Sequence, residues 1–219
     1  MTTPIRILIA DDHEIVRQGI IQICTSEPDM DVVGQASNGY EACELAVQLD
    51  PDIILLDINM PMMDGVEVTR QLMSCMPGVG IIILTMNQQY VFEAIKAGAR
   101  AFLLKDADSN VLLQAIRSVA EGESVMTPAT ALTILNMVHQ HQHDPVIANG
   151  IIFLNQRDLE ILQLFAQGLD TSAVSQRLHL LESIVRSRML VIFEKLHVSE
   201  LPHALPNPIH KRQRHLLPR

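Results

Sequence analysis

Over the first 121 residues, short apolar runs alternate with amphipathic stretches. Ile5-Arg6-Ile7-Leu8-Ile9-Ala10 is β-branched, apolar and halted by two acids, which predicts a buried strand. Val16, Ile20, Ile23 and Cys24 then fall at helical spacing, and Glu27-Pro28-Asp29 ends that helix. Val32-Val33 predicts a second strand and Asn38-Gly39 a turn. Ala42, Leu45, Ala46 and Leu49 form another helical stripe, stopped by Asp50-Pro51. Three further apolar runs follow: Ile53-Ile54-Leu55-Leu56, Ile81-Ile82-Ile83-Leu84 and Ala101-Phe102-Leu103-Leu104. Helices are expected between them, around residues 65–75 and 89–97, and a last one carries Leu112, Ala115, Ile116 and Val119. Five strands each followed by a helix define an α/β domain, with a parallel sheet covered on both faces.

Beyond Glu121-Gly122-Glu123 the pattern becomes helical. Thr127-Pro128 predicts the start of a helix carrying Leu132, Leu135 and Val138. Leu154-Asn155-Gln156-Arg157 opens an amphipathic helix with Leu159, Ile161, Leu162 and Phe165, closed at Gly168. A short helix around 171–178 and a longer one around 182–196 follow, the latter with the stripe Val185, Met189, Ile192 and Leu196. Helix, short helix and longer helix joined by tight turns predict a small all-α helix-turn-helix unit. The expected division is 1–121, a linker with a helix over 122–151, the helical unit over 152–199, and a proline-rich basic tail over 200–219.

Charge separates the same halves. The chain of 219 residues carries a formal net charge of −9. Residues 1–121 hold 17 acidic and 7 basic side chains, whereas 122–219 hold 8 and 9. The acidic balance argues against a chain devoted wholly to nucleic acid. No apolar run approaches the roughly 20 residues that span a bilayer. The N-terminus lacks the apolar core of an export signal, so a cytoplasmic location and no membrane partner are expected. Cys24, Cys43 and Cys75 are odd in number and widely spaced, and are expected as reduced core residues.

In parallel sheets, sites gather at the carboxyl ends of strands. Asp11 and Asp12 stand at the end of the first strand, Asp57 of the third, Thr85 of the fourth and Lys105 of the fifth. Three converging carboxylates repel one another unless a cation joins them, and oxygen-only ligands suit Mg²⁺, with the Asn59 backbone carbonyl as a further donor. Asp57 follows four apolar residues, so it is sheltered and placed as a carboxylate nucleophile. Lys105 is suited to neutralise phosphoryl charge, and the Thr85 hydroxyl to hydrogen-bond a phosphoryl oxygen. The chemistry expected is in-line phosphoryl transfer to Asp57.

Ile9-Ala10-Asp11-Asp12-His13, Leu56-Asp57-Ile58-Asn59-Met60-Pro61, Asp64-Gly65, Leu84-Thr85 and Leu104-Lys105-Asp106 resemble the receiver domain of two-component response regulators, over residues 4–121. The resemblance implies a (βα)5 flavodoxin-like fold, with Asp57 as phosphoacceptor and Asp11 and Asp12 as Mg²⁺ ligands. Thr85 and Lys105 would be the phosphate sensors, and Phe102 matches the aromatic position whose rotamer follows phosphorylation. Asn59 and Asn87 match positions that tune dephosphorylation. A sensor histidine kinase is the implied phosphodonor, and a homodimer is expected on phosphorylation. The helix from Thr127 looks like the linker of the NarL/FixJ subgroup. A phosphatase of the haloacid dehalogenase type would need a second acid two residues beyond the nucleophile. Asn59 stands there, so no turnover of external phosphoesters is expected, only autophosphorylation and slow autodephosphorylation.

Leu162-Gln163-Leu164-Phe165-Ala166-Gln167-Gly168, with Glu194-Lys195-Leu196-His197-Val198, resembles the LuxR-type output domain over 152–199. That implies transcription regulation with the long helix in the DNA major groove, where Arg186, Ser187, Arg188 and Lys195 are the candidate DNA contacts. Several features depart from the family and point to a degenerate output domain. Ser172-Ala173 replaces a common Lys-Glu pair. Leu190 and Val191 are expected on the exposed face. Residues 151–200 carry 5 basic and 6 acidic residues, a weak footprint for counterion release. The prolines at 202, 206 and 208 disfavour a fourth helix, and His210-Lys211-Arg212-Gln213-Arg214-His215 is a basic cluster. The alternative output is binding of a protein partner, or dimerisation without DNA. The histidines at 139, 141 and 143 do not match a structural zinc pattern and are expected as solvated linker.

Overall fold

A computed structural model describes residues 3–141 and 154–198. Five strands, β1 (Ile5–Ala10), β2 (Met30–Ala36), β3 (Ile53–Asp57), β4 (Gly80–Thr85) and β5 (Ala101–Leu104), form one parallel sheet in the order β2-β1-β3-β4-β5. The connecting helices are α1 (Glu14–Thr25), α2 (Gly39–Leu49), α3 (Gly65–Cys75), α4 (Val91–Ala97) and α5 (Ser109–Ala120). A short 3-10 turn, Gln88–Tyr90, precedes α4.

Strand alternation sorts the core into two layers. Ile7 and Ile9 of β1 pack with Ile20 and Cys24 of α1 and with Leu112 and Ile116 of α5. Leu8 and Ala10 face the other way, toward Ala42 and Ala46 of α2, Leu72 of α3 and Ile95 of α4. The inner strands are buried along their whole length, which explains continuous apolar runs instead of alternation. Helix starts follow their caps: the Asn38 side chain accepts from Glu41 N–H, and Asp64 forms a reciprocal capping box with Glu67. Cys24 and Cys43 are buried as expected, and burial pushes the Cys24 thiol up to about 11. Cys75 is the exception, lying exposed near the end of α3.

On the sheet's outer edge Arg117 of α5 reaches across to Asp29, at 2.8 and 2.9 Å, and to Glu27 at 2.6 Å. The Arg117 hydrogen bond holds the Asp29 carboxyl below its ordinary value. A depressed folded-state pKa stabilises above the unfolded value and is lost as pH falls through the folded one. Arg117→Ala should therefore lower stability by about 1 kcal/mol at neutral pH. In denaturant titrations the difference from wild type should shrink toward zero as pH drops below about 4.

The C-terminal half holds α6 (Pro128–His141), α7 (Gln156–Ala166), α8 (Thr171–Leu178) and α9 (Glu182–Val198). In α6 the buried apolar positions are Ala131, Ile134 and Leu135, beside buried Thr130, while Leu132 is exposed, so the expected stripe is rotated by one residue. Val185, Met189, Ile192 and Leu196 of α9 are buried as read from spacing. Leu190 and Val191, expected on an exposed face, are half-buried, and Phe193 is buried. The reason is that α9 packs against α4 as well as against α7 and α8, so it is covered on more than one side. One apolar cluster accordingly runs from the α2–α4 face of the sheet through α6 into α7, α8 and α9. The basic stretch at 210–215, the prolines at 202, 206 and 208, and His143 lie outside the described residues.

Candidate functional site

β1 and β3 are neighbours whose helices leave toward opposite faces, so a crevice opens at their carboxyl ends. Asp57 closes β3 and is 2% exposed, and Asp11, just past β1, is 1% exposed. Lys105, one residue past β5, lies between them, with Nζ 2.7 Å from Asp11 Oδ2 and 2.8 Å from Asp57 Oδ2. Burial works against the Lys105 charge, but the hydrogen bonds to Asp11 and Asp57 outweigh it and hold the ammonium above its ordinary pKa. Asp57 Oδ1 is buried without a hydrogen-bond partner. Such an oxygen is costly unless a cation or an electrophile completes it.

The backbone around Asp57 is held close. A β-carbon at Gly65 would run into the Asp57 carbonyl oxygen, so only glycine lets α3 begin this near the end of β3. Asp12 is exposed beside Asp11, and Asn59 is exposed in the loop after β3. Thr85 ends β4 fully buried, and its Oγ1 accepts from the Asn87 N–H at 3.3 Å. The Lys105 N–H donates to the Thr85 carbonyl at 3.0 Å, which ties the last turns of β4 and β5 together. Phe102 is buried in β5 opposite Ile83.

Ligand-type atoms of Asp11, Asp12, His13 and Asp57 lie within 4.8 Å of one another. Together with the orphaned Asp57 oxygen, this donor set fits a divalent cation. Sequence reasoning overlooked His13, although it directly follows the paired acids.

The candidate DNA-contact residues occupy a different environment from the one their positions suggest. Arg186 Nη1 pairs with Glu123 Oε2 of the segment before α6 at 2.8 Å, and Glu182 lies 3.6 Å from the same guanidinium. Lys195 Nζ meets Asp158 Oδ2 at 2.6 Å, and Arg188 stands 3.6 Å from the other oxygen of that carboxylate. Asp158 is fully buried and also closes the capping box of α7 with Asn155. Ser187 alone of the four is exposed. Near the end of α9, His197 Nδ1 is 2.7 Å from the Lys96 carbonyl oxygen of α4. The start of α7 at Asn155-Gln156 was readable in the sequence, but nothing there paired Glu123 with Arg186 across 63 positions.

The described residues thus form a parallel five-stranded α/β domain with two buried carboxylates bridged by a strand-end lysine, followed by a helical region. Residues 7–117 match the response regulator receiver domain family. The chain is 36% identical over 195 residues to the nitrate/nitrite response regulator NarL of Escherichia coli strain K12, covering 88% of this chain and 89% of that protein. It is 35% identical over 202 residues to the transcriptional regulatory protein LiaR of Bacillus subtilis strain 168, covering 91% and 94%. The crystal structure of the response regulator ChrA of a heme-sensing two-component system aligns at a TM-score of 0.53 and 30% identity, over 90% of this chain and 96% of that one. The chain belongs to the response-regulator family, among its two-component transcriptional regulatory proteins. No helix of the described residues is long and apolar enough to cross a membrane.

Proposed function

We propose that Asp57 accepts a phosphoryl group from a sensor histidine kinase, and that this modification releases α9 to bind DNA. The observation that carries the reading is Asp57 itself, buried at a strand end with one oxygen on Lys105 and the other without a partner. In the transfer, a carboxylate oxygen forms the new P–O bond as the P–N bond of the phosphohistidine breaks, and the leaving imidazole nitrogen keeps the electron pair and takes a proton. Asp11, Asp12 and Asp57, with the Asn59 carbonyl, would hold Mg²⁺, which when bound neutralises phosphoryl oxygens. Lys105 supplies positive charge to the phosphoryl group, and burial of the site strengthens that interaction. Slow hydrolysis of the acyl phosphate resets the protein, so the activity is self-modification.

Thr85 is the natural sensor. Its hydroxyl accepts a long bond from the Asn87 N–H, and turning it toward a phosphoryl oxygen would leave room beside Phe102. Movement of the loop after β4 is passed to α4, the element against which α9 packs. In the closed arrangement Arg186 is paired with Glu123 ahead of α6, while Arg188 and Lys195 share the single carboxylate of Asp158 on α7. DNA binding therefore requires α9 to leave α4 and Arg186 to exchange Glu123 for phosphate. With few basic groups on this surface, the output domain is a weakened reader of DNA, and phosphorylated chains are expected to bind as homodimers. Domain limits of 1–121, 122–151 and 152–199 suit this division of labour.

The test compares phosphorylated and unphosphorylated full-length protein for binding to random genomic fragments across a salt series. Phosphorylation should raise affinity for particular fragments, with binding falling steeply as salt increases. Absence of any DNA association at low salt would overturn the DNA-binding part and favour a protein partner, for which Leu181 and Ile184, exposed where α9 begins, offer an apolar surface.

A further inference from the structure

We infer that His13 is a ligand of the cation site, and that it turns this site toward first-row transition dications over Mg²⁺. The inference rests on the acidic cation site proposed above and adds a nitrogen donor to it. His13 precedes α1 as its N-cap residue, yet its side chain makes no capping bond to the helix. The imidazole turns back instead, placing Nδ1 2.6 Å from Asp12 Oδ1 and 3.4 Å from Asp11 Oδ1. In an octahedral shell with bonds of about 2.1 Å, neighbouring ligand atoms lie about 3 Å apart. The two separations bracket that edge length, so one cation fits against all three groups with little side-chain movement.

The remaining geometry agrees. Lys105 contacts the other oxygen of each carboxylate, Asp11 Oδ2 and Asp57 Oδ2, leaving Asp57 Oδ1 buried and unpartnered. Asp11 Oδ1 is oriented by the backbone N–H of His13 at 2.9 Å, so the same residue fixes one carboxylate and offers a ring nitrogen beside it. The His13 side chain is 66% exposed, so it approaches an incoming ion without repacking the core. A purely oxygen set suits Mg²⁺, which surrenders water reluctantly, whereas imidazole favours Mn²⁺ and the later first-row ions over Mg²⁺.

The experiment uses full-length protein freed of metal by chelation, then titrated with Mn²⁺. The hexaaqua Mn²⁺ electron paramagnetic resonance signal reports free ion, and Mg²⁺ competition gives the relative affinities. Mn²⁺ should bind at least about tenfold more tightly than Mg²⁺. Electron spin-echo modulation of bound Mn²⁺ should show a directly ligated imidazole nitrogen. His13→Ala, which removes no helix cap, should abolish that modulation and weaken Mn²⁺ about tenfold while changing Mg²⁺ less than about twofold. Mn²⁺ binding that disappears in Asp57→Asn but shows no nitrogen modulation, or is indifferent to His13→Ala, overturns the role of His13 and leaves the acidic site standing. Mn²⁺ binding unchanged by Asp57→Asn overturns the acidic site itself.

Discussion

Asp57→Asn should eliminate acyl-phosphate formation entirely when the protein is incubated with a small phosphodonor and Mg²⁺. The amide matches the carboxylate in shape but has no anionic oxygen to form the P–O bond. The fold should survive the change. Asp11 and Asp57 share one ammonium, so the metal-free wild-type site holds two buried carboxylates against one cation. Removing one of those charges relieves repulsion and should leave stability equal or raise it by about 1–2 kcal/mol. Radiolabel on the intact protein and a denaturant midpoint measure the two effects separately. Persistent labelling of a folded Asp57→Asn protein would sink the assignment of the phosphoacceptor.

The second large effect concerns the closed output. Glu123 holds Arg186, and the Lys96 carbonyl holds His197, at two separated points along α9. Combining Glu123→Gln with His197→Ala removes both, at about 1 kcal/mol each. Distant, independent contacts add, so the closed state should lose about 2 kcal/mol. That corresponds to about a thirtyfold gain in DNA affinity for the unphosphorylated protein, provided the closed state dominates beforehand. Arg186 stays in place to meet phosphate. Fluorescence anisotropy on a fragment selected with phosphorylated wild-type protein measures the gain. Equal affinity of the double variant and wild type would mean that these contacts do not hold α9 back.

Arg100 bears on the same closure. It is drawn into a setting where burial pushes its pKa down while Glu194 of α9 opposes the shift. An acid such as Glu194 is unsuited to approaching DNA phosphate. In the folded chain it faces a cation of the receiver, which explains an acidic residue on this helix without assigning it to DNA.

The receiver half was largely legible from its residues because its signals are local. A parallel strand covered on both faces must be a short continuous apolar run, and each run here ends at a polar residue. Asp11, Asp57, Thr85 and Lys105 converge because strand ends in this topology share one edge. The same reasoning read the buried stripe of α9 from its spacing. It failed at Leu190 and Val191, which are half-buried, because a helix covered on several sides loses the amphipathic contrast that spacing detects. Spacing describes a helix packed along one stripe, whereas α9 packs against α4 of the receiver half as well as against α7 and α8.

Element type, the parallel sheet and the gathering of polar groups at its strand ends thus follow from the chain's own pattern, since each depends on neighbours a few residues apart or on a general rule of parallel sheets. The pairing of Arg186 with Glu123, the engagement of Lys195 by a buried Asp158, the seat of His197 on α4 and the return of His13 toward Asp12 were decided only by tertiary packing. Ion pairs and hydrogen bonds depend on distances of a few ångströms, and a linear pattern of polar residues does not encode which distant charge will arrive within that reach.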